Sequence, residues 1–279
     1  MESSGEILVR KQFAQIPPYL RHLFREISLH YTTEAVNYSL LLTRILQSDF
    51  HRIALVTTNY DTFLEKALRR VIDTHFPDLD AYVADPRWIL VKLHGSVDWV
   101  HPMRWHSRPN DLNGYLTILD DIATGASLSD CLTSGISFWN NPNLWDERRA
   151  YYPAMTVPVA GKYEYVCPQR HIDVLREHLR ECVNFLVIGS SGLDADVTDL
   201  LRNEVPSALT FGFVAHRDVI EVQRRFMENV SAFAAAKTTL ANGGFSKFIA
   251  SGGLAAFLGY LYDDSDRDPW LKSKGELIL

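Results

Sequence analysis

The chain has 279 residues, of which 47% are hydrophobic and 22% are charged, with a formal net charge of −6. This length fits one large domain or two small ones, and the composition is that of a globular protein. The acidic balance argues against nucleic acid as a partner. The opening residues, MESSGEILVRKQF, lack the apolar stretch of a signal peptide, and the late apolar stretch Phe248–Tyr262 is too short to cross a bilayer. We therefore expect a cytoplasmic protein without a membrane partner.

The three cysteines do not form a zinc-binding pattern. Cys131, Cys167 and Cys182 contain no CxxC pair, whereas a structural zinc site normally needs four closely spaced ligands. Cys167 precedes His171 by four residues, but a spacing of this kind arises easily by chance. We predict buried or free thiols and no bound metal.

Residues 1–50 are predicted to form an N-terminal helical segment. Pro17-Pro18 opens a helix over Tyr19–His30, and a second helix is predicted over Thr33–Gln47. Apolar periodicity predicts which side chains face inward: Leu20, Leu23, Phe24 and Ile27 in the first helix, and Val36, Leu40, Leu41 and Ile45 in the second.

Strands and helices then alternate. Ile53–Thr57 is a short aliphatic run that predicts a buried strand, Phe63–Phe76 is predicted to be helical, and Trp88–Leu93 is the next predicted strand. Between residues 101 and 165 the pattern gives way to sequence rich in Pro, Asn, Gly and Trp, which indicates an insertion or lid with small helices.

Regular alternation returns near residue 170 and supports a parallel sheet. Short links connect the elements, which is typical of an α/β fold with helices on both faces of the sheet. The predicted elements are helix Arg170–Cys182, strand Asn184–Gly189, helix Asp194–Asn203, strand Ala208–Val214 and helix Arg217–Glu228.

Polar residues follow two of the predicted strands. The first strand ends in TTNYD, Thr57 to Asp61, and the second ends in KLHGS, Lys92 to Ser96. Parallel sheets bind ligands where strands end, so Asn59 and His94 are candidate site residues. Helix capping is a structural alternative for part of the first motif, because Thr62-x-x-Glu65 fits a capping box and Asp61 could itself cap the helix. A strand-end histidine such as His94 is often structural when it stands alone.

A third turn contains small residues. In FLVIGSSGLDADV, Phe185 to Val197, the residues Gly189, Ser190 and Ser191 join a strand to a helix, where backbone N–H groups could approach a phosphate. This signal is weak alone, because such turns are often glycine-rich and Asp194 would cap the helix in any fold.

In this order the three motifs resemble the sirtuin superfamily, and most of all the sirtuin-like NAD-hydrolysing domains of prokaryotic antiphage defence proteins. The resemblance covers roughly residues 53–260. It implies a Rossmann-like α/β fold and NAD as substrate or ligand. It also implies that Asn59 orients the ribose and the attacking water and that His94 is the general base. Ligand contacts are implied for Thr58, Asp61, Gly95, Gly189, Ser190 and Ser191.

One motif of that family has no counterpart here. A Gly-Ala-Gly phosphate loop precedes TTNYD in the family, whereas the only early glycine of this chain is Gly5. We therefore expect a single sirtuin-like domain over residues 1–279 that lacks the first strand and its phosphate loop. Three explanations stay open: the sequence is a fragment, a partner supplies that part, or full NAD binding has been lost.

Three functions stay in consideration. The first is NAD hydrolysis with release of nicotinamide, with a homo-oligomer or a defence-system partner as the setting. The second is a non-catalytic sirtuin-like module for nucleotide sensing or assembly. The third, protein deacylation, is disfavoured because the paired zinc cysteines of deacylases are missing.

Overall fold

The fold is a parallel α/β sandwich with a smaller antiparallel sheet beside it. The computed structural model describes residues 4–31, 35–48, 52–104, 109–125, 131–133, 135–156, 166–233, 236–262 and 276–278. Among these residues, no helix is both long enough and apolar enough to cross a membrane.

Within the described part of the chain, the main sheet has six strands, and every neighbouring pair is parallel. It contains all four strands predicted from the sequence. In spatial order the strands are β2 (Trp88–Lys92), β1 (Arg52–Thr57), β9 (Glu276–Ile278), β6 (Asn184–Ile188), β7 (Thr210–Ala215) and β8 (Lys237–Asn242). Strands β8 and β9 are not predicted from the sequence. The latter is a short strand from late in the chain that lies between β1 and β6.

Helices cover both faces of this sheet, which is why strands such as β2 and β7 are buried along their whole length. The predicted helices after β1, before β6 and after β6 and β7 all form, with bounds that differ from the predicted ones by a few residues. The described helices are α1 (Ser4–His30), α2 (Ala35–Leu46), α3 (Phe63–Ile72), α4 (Leu112–Gly125), α5 (Gln169–Glu181), α6 (Ala195–Glu204), α7 (Val219–Asn229), α8 (Gly244–Ala250) and α9 (Gly253–Tyr262).

The N-terminal helix differs from its prediction. Helix α1 begins at Ser4 and contains Pro17 and Pro18, so the prolines do not open it. Its buried side carries Ala14, Pro17, Arg21 and Ser28, whereas the predicted inward residue Leu23 is 39% exposed. The guanidinium of Arg21 donates to the backbone oxygens of Trp139, Asn141 and Pro142. The buried face of α1 is therefore determined in part by an arginine that binds carbonyl groups. Apolar periodicity cannot predict such a residue.

The second helix is partly as predicted. Leu41 and Ile45 of α2 are buried, together with Leu42, but Val36 and Leu40 are 44% and 47% exposed. The predicted start at Thr33 lies outside the described residues. The buried stripe is therefore shifted around the helix from the predicted one.

The region predicted as an insertion contains its own sheet and core. Strands β3 (Gly95–Pro102), β4 (Ser137–Phe138) and β5 (Tyr151–Met155) pair antiparallel in the order β4-β3-β5. Helix α4 packs on them, and a separate apolar cluster forms around Val100, Tyr115, Leu119 and Tyr152. Residues 157–165 of the predicted insertion lie outside the described part, and a lid function stays a prediction.

All three cysteines are buried thiols, as the sequence predicts. Burial raises the pKa of Cys167 to about 12, so this thiol stays protonated at neutral pH. Its neighbour in sequence, His171, instead bonds through Nε2 to the backbone oxygen of Leu79 at 2.8 Å. The Cys167 and His171 pair thus has packing roles, and its spacing gives no reason to expect a metal.

Candidate functional site

The first site element is the loop between β1 and α3. The backbone oxygen of Thr57 accepts from the N–H of Leu93 at 3.0 Å, and the Thr57 hydroxyl accepts from the N–H of Asn59 at 3.1 Å. These two bonds fix the chain as it leaves the strand. The Asn59 side chain lies at the surface, where a ligand can reach it.

Asp61 has a structural role in this loop. Its Oδ1 accepts from the N–H of Phe63 at 3.0 Å, whereas Thr62 makes no side-chain capping bond. Of the two capping schemes that the sequence allows, the one through Asp61 is therefore present and the capping box is not. Burial raises the pKa of the Asp61 carboxyl. A ligand contact from Asp61 stays a prediction.

The second element is the turn from β2 to β3. His94 follows the last residue of β2 by two positions, and its backbone oxygen accepts from the N–H of Thr156 at 2.9 Å. Gly95 has a φ of +86°, and a Cβ at this position would lie 1.9 Å from the backbone oxygen of Ala154. Only glycine fits between these strands, so packing alone accounts for the Gly that follows the candidate histidine.

The third element is the turn from β6 to α6. The N–H of Gly189 bonds to the backbone oxygen of Val214 at 2.8 Å, and the hydroxyl of Ser190 accepts from the N–H of Gly192 at 3.3 Å. Asp194 Oδ1 accepts from the N–H groups of Asp196 and Val197 and so caps the helix. The two backbone N–H groups that could bind a phosphate at this end of α6 are therefore already hydrogen-bonded to a carboxylate.

A contact between His94 and Asp194 joins the second and third elements. His94 Nε2 lies 3.1 Å from Asp194 Oδ2, and both side chains are largely buried, with exposures of 19% and 25%. The hydrogen bond from His94 lowers the pKa of the Asp194 carboxyl, with help from the two capping N–H groups. The sequence predicts Asp194 only as a helix cap, because a residue's position before a helix does not reveal a partner that lies about a hundred residues away.

A cavity of about 460 Å³ lies between β1 and β6. Its interior is apolar, with side chains from both faces of the sheet, including Leu41, Leu179 and Phe211. Its polar lining consists of the predicted site residues of two elements, Thr58, Asn59, Gly189, Ser190 and Ser191, together with Thr57 and Asp194. Asn59 and Ser190 therefore line one cavity. His94 does not line the cavity itself but is bonded to Asp194, which does.

Three side chains at or beside this cavity offer oxygen and nitrogen atoms that could hold a metal ion. The ligand atoms of His94, Asp194 and Asp196 lie within 4.8 Å of one another. Exposed acidic groups often cluster without an ion, and Asp194 is already occupied by His94 and by its two capping bonds. Helix capping and the contact between His94 and Asp194 are sufficient to explain this arrangement.

Comparison with known families identifies the class of protein. The model of the SIR2-like domain family matches residues 53–205, which is more than half of the chain. The matched range contains all three site elements. The chain therefore belongs to the SIR2-like domain family.

Two further comparisons add little to this assignment. A solved structure, described as "Structural Basis for the Mechanism and Regulation of Sir2 Enzymes", aligns with 15% sequence identity and a TM-score of 0.38. The alignment covers 75% of this chain and 62% of that chain, so this protein spans less than two thirds of that structure. A search of curated proteins found no match. The family assignment thus depends on the family model alone.

Proposed function

We propose that this SIR2-like domain binds NAD at the mouth of the cavity and hydrolyses the bond between nicotinamide and ribose. The observation that carries the proposal is the convergence of three separate motifs. Asn59 and Ser190 line one cavity from opposite sides of β9, and His94 lies beside it, 3.1 Å from the lining residue Asp194. Helix capping accounts for Asp61 and Asp194 but not for Asn59.

The reaction needs orientation more than a strong nucleophile. When the C1′–N bond breaks, its electron pair leaves with nicotinamide, and an oxocarbenium-like ribose remains. Water adds to C1′ and loses one proton, so the products are nicotinamide, ADP-ribose and H⁺. We assign Asn59 to orient the ribose and the water. His94 takes the proton, a role that suits an imidazole.

The cavity fits the ribose end of NAD better than the pyrophosphate. Its volume lies in the range of small-molecule sites, about 300–1,000 Å³. Hydroxyl and carboxylate groups at Thr58, Ser190, Ser191 and Asp194 can bond to ribose hydroxyls. Among the described lining residues, none is a lysine or an arginine, so little positive charge faces a phosphate. We therefore propose weak binding of NAD.

Nicotinamide release from NAD by the purified chain is the direct test. We expect slow release by the wild type and a loss on the order of 100-fold or more in kcat for His94→Ala and for Asn59→Ala. His22→Ala and Asn113→Ala are matched controls, because both side chains are exposed on helices outside the site. Circular dichroism verifies that each variant is folded.

Two outcomes would contradict the assignment. Wild-type release that survives in both site variants would mean that Asn59 and His94 do not carry the reaction. If NAD binding is measurable by calorimetry but the wild type shows no release even at high protein concentration, where an oligomer would form, the domain is not a hydrolase.

A defence-type setting is supported only by the sequence resemblance and by cysteines that do not pair as zinc ligands.

A non-catalytic assembly module is the second candidate, and one observation favours it. Among the described residues, strand β9 pairs with β1 over Arg52–Ala54 and with β6 over Asn184–Phe185. The cavity touches consecutive residues of both strands, Leu55–Thr57 and Phe185–Ile188, and most of these residues lie beyond the pairs. Consecutive residues point to opposite faces of a sheet, so the cavity meets the strand edges themselves. An extended peptide would suit such a space, and this candidate predicts peptide-dependent assembly without nicotinamide release.

A further inference from the structure

The motif KLHGS contains a charged residue to which the proposed reaction gives no role. Lys92 is the last residue of β2 and is fully buried. Its ammonium lies 2.8 Å from Glu65 Oε1. It also donates to the backbone oxygen of Asp61 and, at 3.4 Å, to that of Tyr60. A lysine ammonium has three N–H donors, and each of them has an acceptor here.

The arrangement around Lys92 is a poor device for stability alone. A buried ion pair is often no more stable than apolar residues of the same volume, because both charges lose their water. Glu65 also accepts from the Tyr82 hydroxyl at 3.1 Å through the same oxygen, Oε1. Its other oxygen, Oε2, is buried and has no hydrogen-bond partner among the described residues. A pair optimised for stability would satisfy both oxygens.

The ammonium holds the chain immediately after the candidate catalytic asparagine. Tyr60 and Asp61 follow Asn59, and their carbonyl groups both point at Lys92 Nζ. The Tyr60 carbonyl also accepts from the N–H of Val97 at 3.0 Å, and the Tyr60 hydroxyl donates to the backbone oxygen of Thr156. With the N–H of Asn59 bonded to Thr57, the backbone is fixed on both sides of the asparagine.

We propose that Lys92 is a positioning residue for Asn59, which it orients by binding the carbonyl groups of Tyr60 and Asp61. This rests on the proposed function, because the consequence of a misplaced Asn59 is measured through NAD. Lys92 itself touches neither water nor ribose in this role. Its charge lies beneath the loop, where it replaces the water that would otherwise solvate two carbonyl groups.

Two variants separate positioning from stability. Lys92→Met combined with Glu65→Gln removes both charges at nearly constant volume and releases the carbonyl groups. Glu65→Gln alone removes the ion pair but leaves Lys92 bonded to the carbonyls. We expect the double variant to lose on the order of 10- to 100-fold in kcat with a smaller change in KM, because a displacement of about 1 Å is enough for this loss. Glu65→Gln should keep most of its kcat.

A purely structural role for Lys92 predicts a different result. In that case kcat would fall in both variants in proportion to their melting temperatures, and the proposal would be overturned. The same variants also test the proposal if the wild type releases no nicotinamide, which would count against the proposed function only. NMR should then show the backbone amide signals of Asn59, Tyr60 and Asp61 shifted or broadened in the double variant but not in Glu65→Gln. Unchanged loop signals in the double variant would overturn it as well.

Discussion

The two sides of the cavity are the loop after β1 and the turn after β6, and they are held in place by different kinds of contact. The loop after β1 is fixed from a distance, since Tyr60 is bonded to Val97, Thr156 and Lys92 on other elements. The turn after β6 is fixed mostly by its own residues: hydroxyls or carboxylates at Ser190, Ser191 and Asp194 accept from N–H groups two or three residues further on.

This difference indicates which side can adapt to a ligand. A turn held by local bonds keeps its shape whenever its strand and helix form. A loop held by other elements keeps its shape only while those elements keep their positions. We therefore expect the His94 and Asn59 side of the cleft to respond to changes in β3 and β5, and the Ser190 side to be insensitive to them.

The largest contrast should come from two glycines with positive φ. In Gly95→Ala the new Cβ meets the backbone oxygen of Ala154 at 1.9 Å in addition to an unfavourable φ of +86°. Gly189 has a φ of +73°, but a Cβ added there would meet no heavy atom within 4 Å among the described residues beyond its chain neighbours. We predict a loss in the free energy of unfolding of about 2–6 kcal/mol for Gly95→Ala and about 1–2 kcal/mol for Gly189→Ala. Urea unfolding measures both, and equal losses would contradict the contrast.

The next largest effect on the free energy of unfolding should come from Asp194, which caps α6 and contacts His94. Asp194→Ala removes the helix cap and the bond to His94, and we predict a loss of about 1 kcal/mol or more. Asp194→Asn keeps the cap, since asparagine also caps well, and removes only the carboxylate charge. Comparison of the two variants by thermal unfolding at pH 7 separates the two contributions. Identical losses would mean that the link to His94, and not the cap, accounts for the effect.

The pH dependence of Asp194 gives a sign that can be tested. Its folded pKa is lowered, so its stabilisation is complete above the unfolded pKa of about 3.9 and is lost as the pH falls through the folded value. The difference in unfolding free energy between wild type and Asp194→Asn should therefore shrink as the pH falls below about 4. A difference that grows as the pH falls below about 4 would contradict the lowered pKa of Asp194.

The smallest effect concerns the start of α3. Asp61→Ala removes the bond to the N–H of Phe63 and should cost about 1 kcal/mol. Thr62→Ala removes no side-chain capping bond, and we predict a change within about 0.5 kcal/mol. Chemical unfolding of both variants tests this, and a larger loss for Thr62→Ala would restore the capping box that the sequence allowed.

The sequence predicts those parts of the fold that depend on local pattern. The aliphatic runs of β1, β2, β6 and β7 indicate buried strands, and the 3.6-residue period of α3 and α5 indicates helices. Strand β8 was missed because its sequence, KTTLAN, is polar and half exposed at the sheet edge. Strand β9 was missed because three residues give no pattern, and their place between β1 and β6 is set by distant pairing.

The candidate site also has parts that the sequence predicts and parts that it does not. Asn59, His94 and Ser190 could be named from the sequence, because polar residues at the ends of parallel strands converge by topology. The contacts of Lys92 with Glu65 and of His94 with Asp194 could not be predicted. They join residues 27 and 100 positions apart, and the side chains involved also have ordinary local uses as a strand residue or a helix cap.

The central claim is that two separately held sides form one ligand site. NMR titration of the ¹⁵N-labelled chain with NAD tests it directly, through the signals of Asn59, His94 and Ser190. We predict that all three shift together and fit a single dissociation constant, with Asn113 on α4 unchanged as a control. Shifts confined to one side of the cleft, or shifts that fit two different dissociation constants, would contradict the claim.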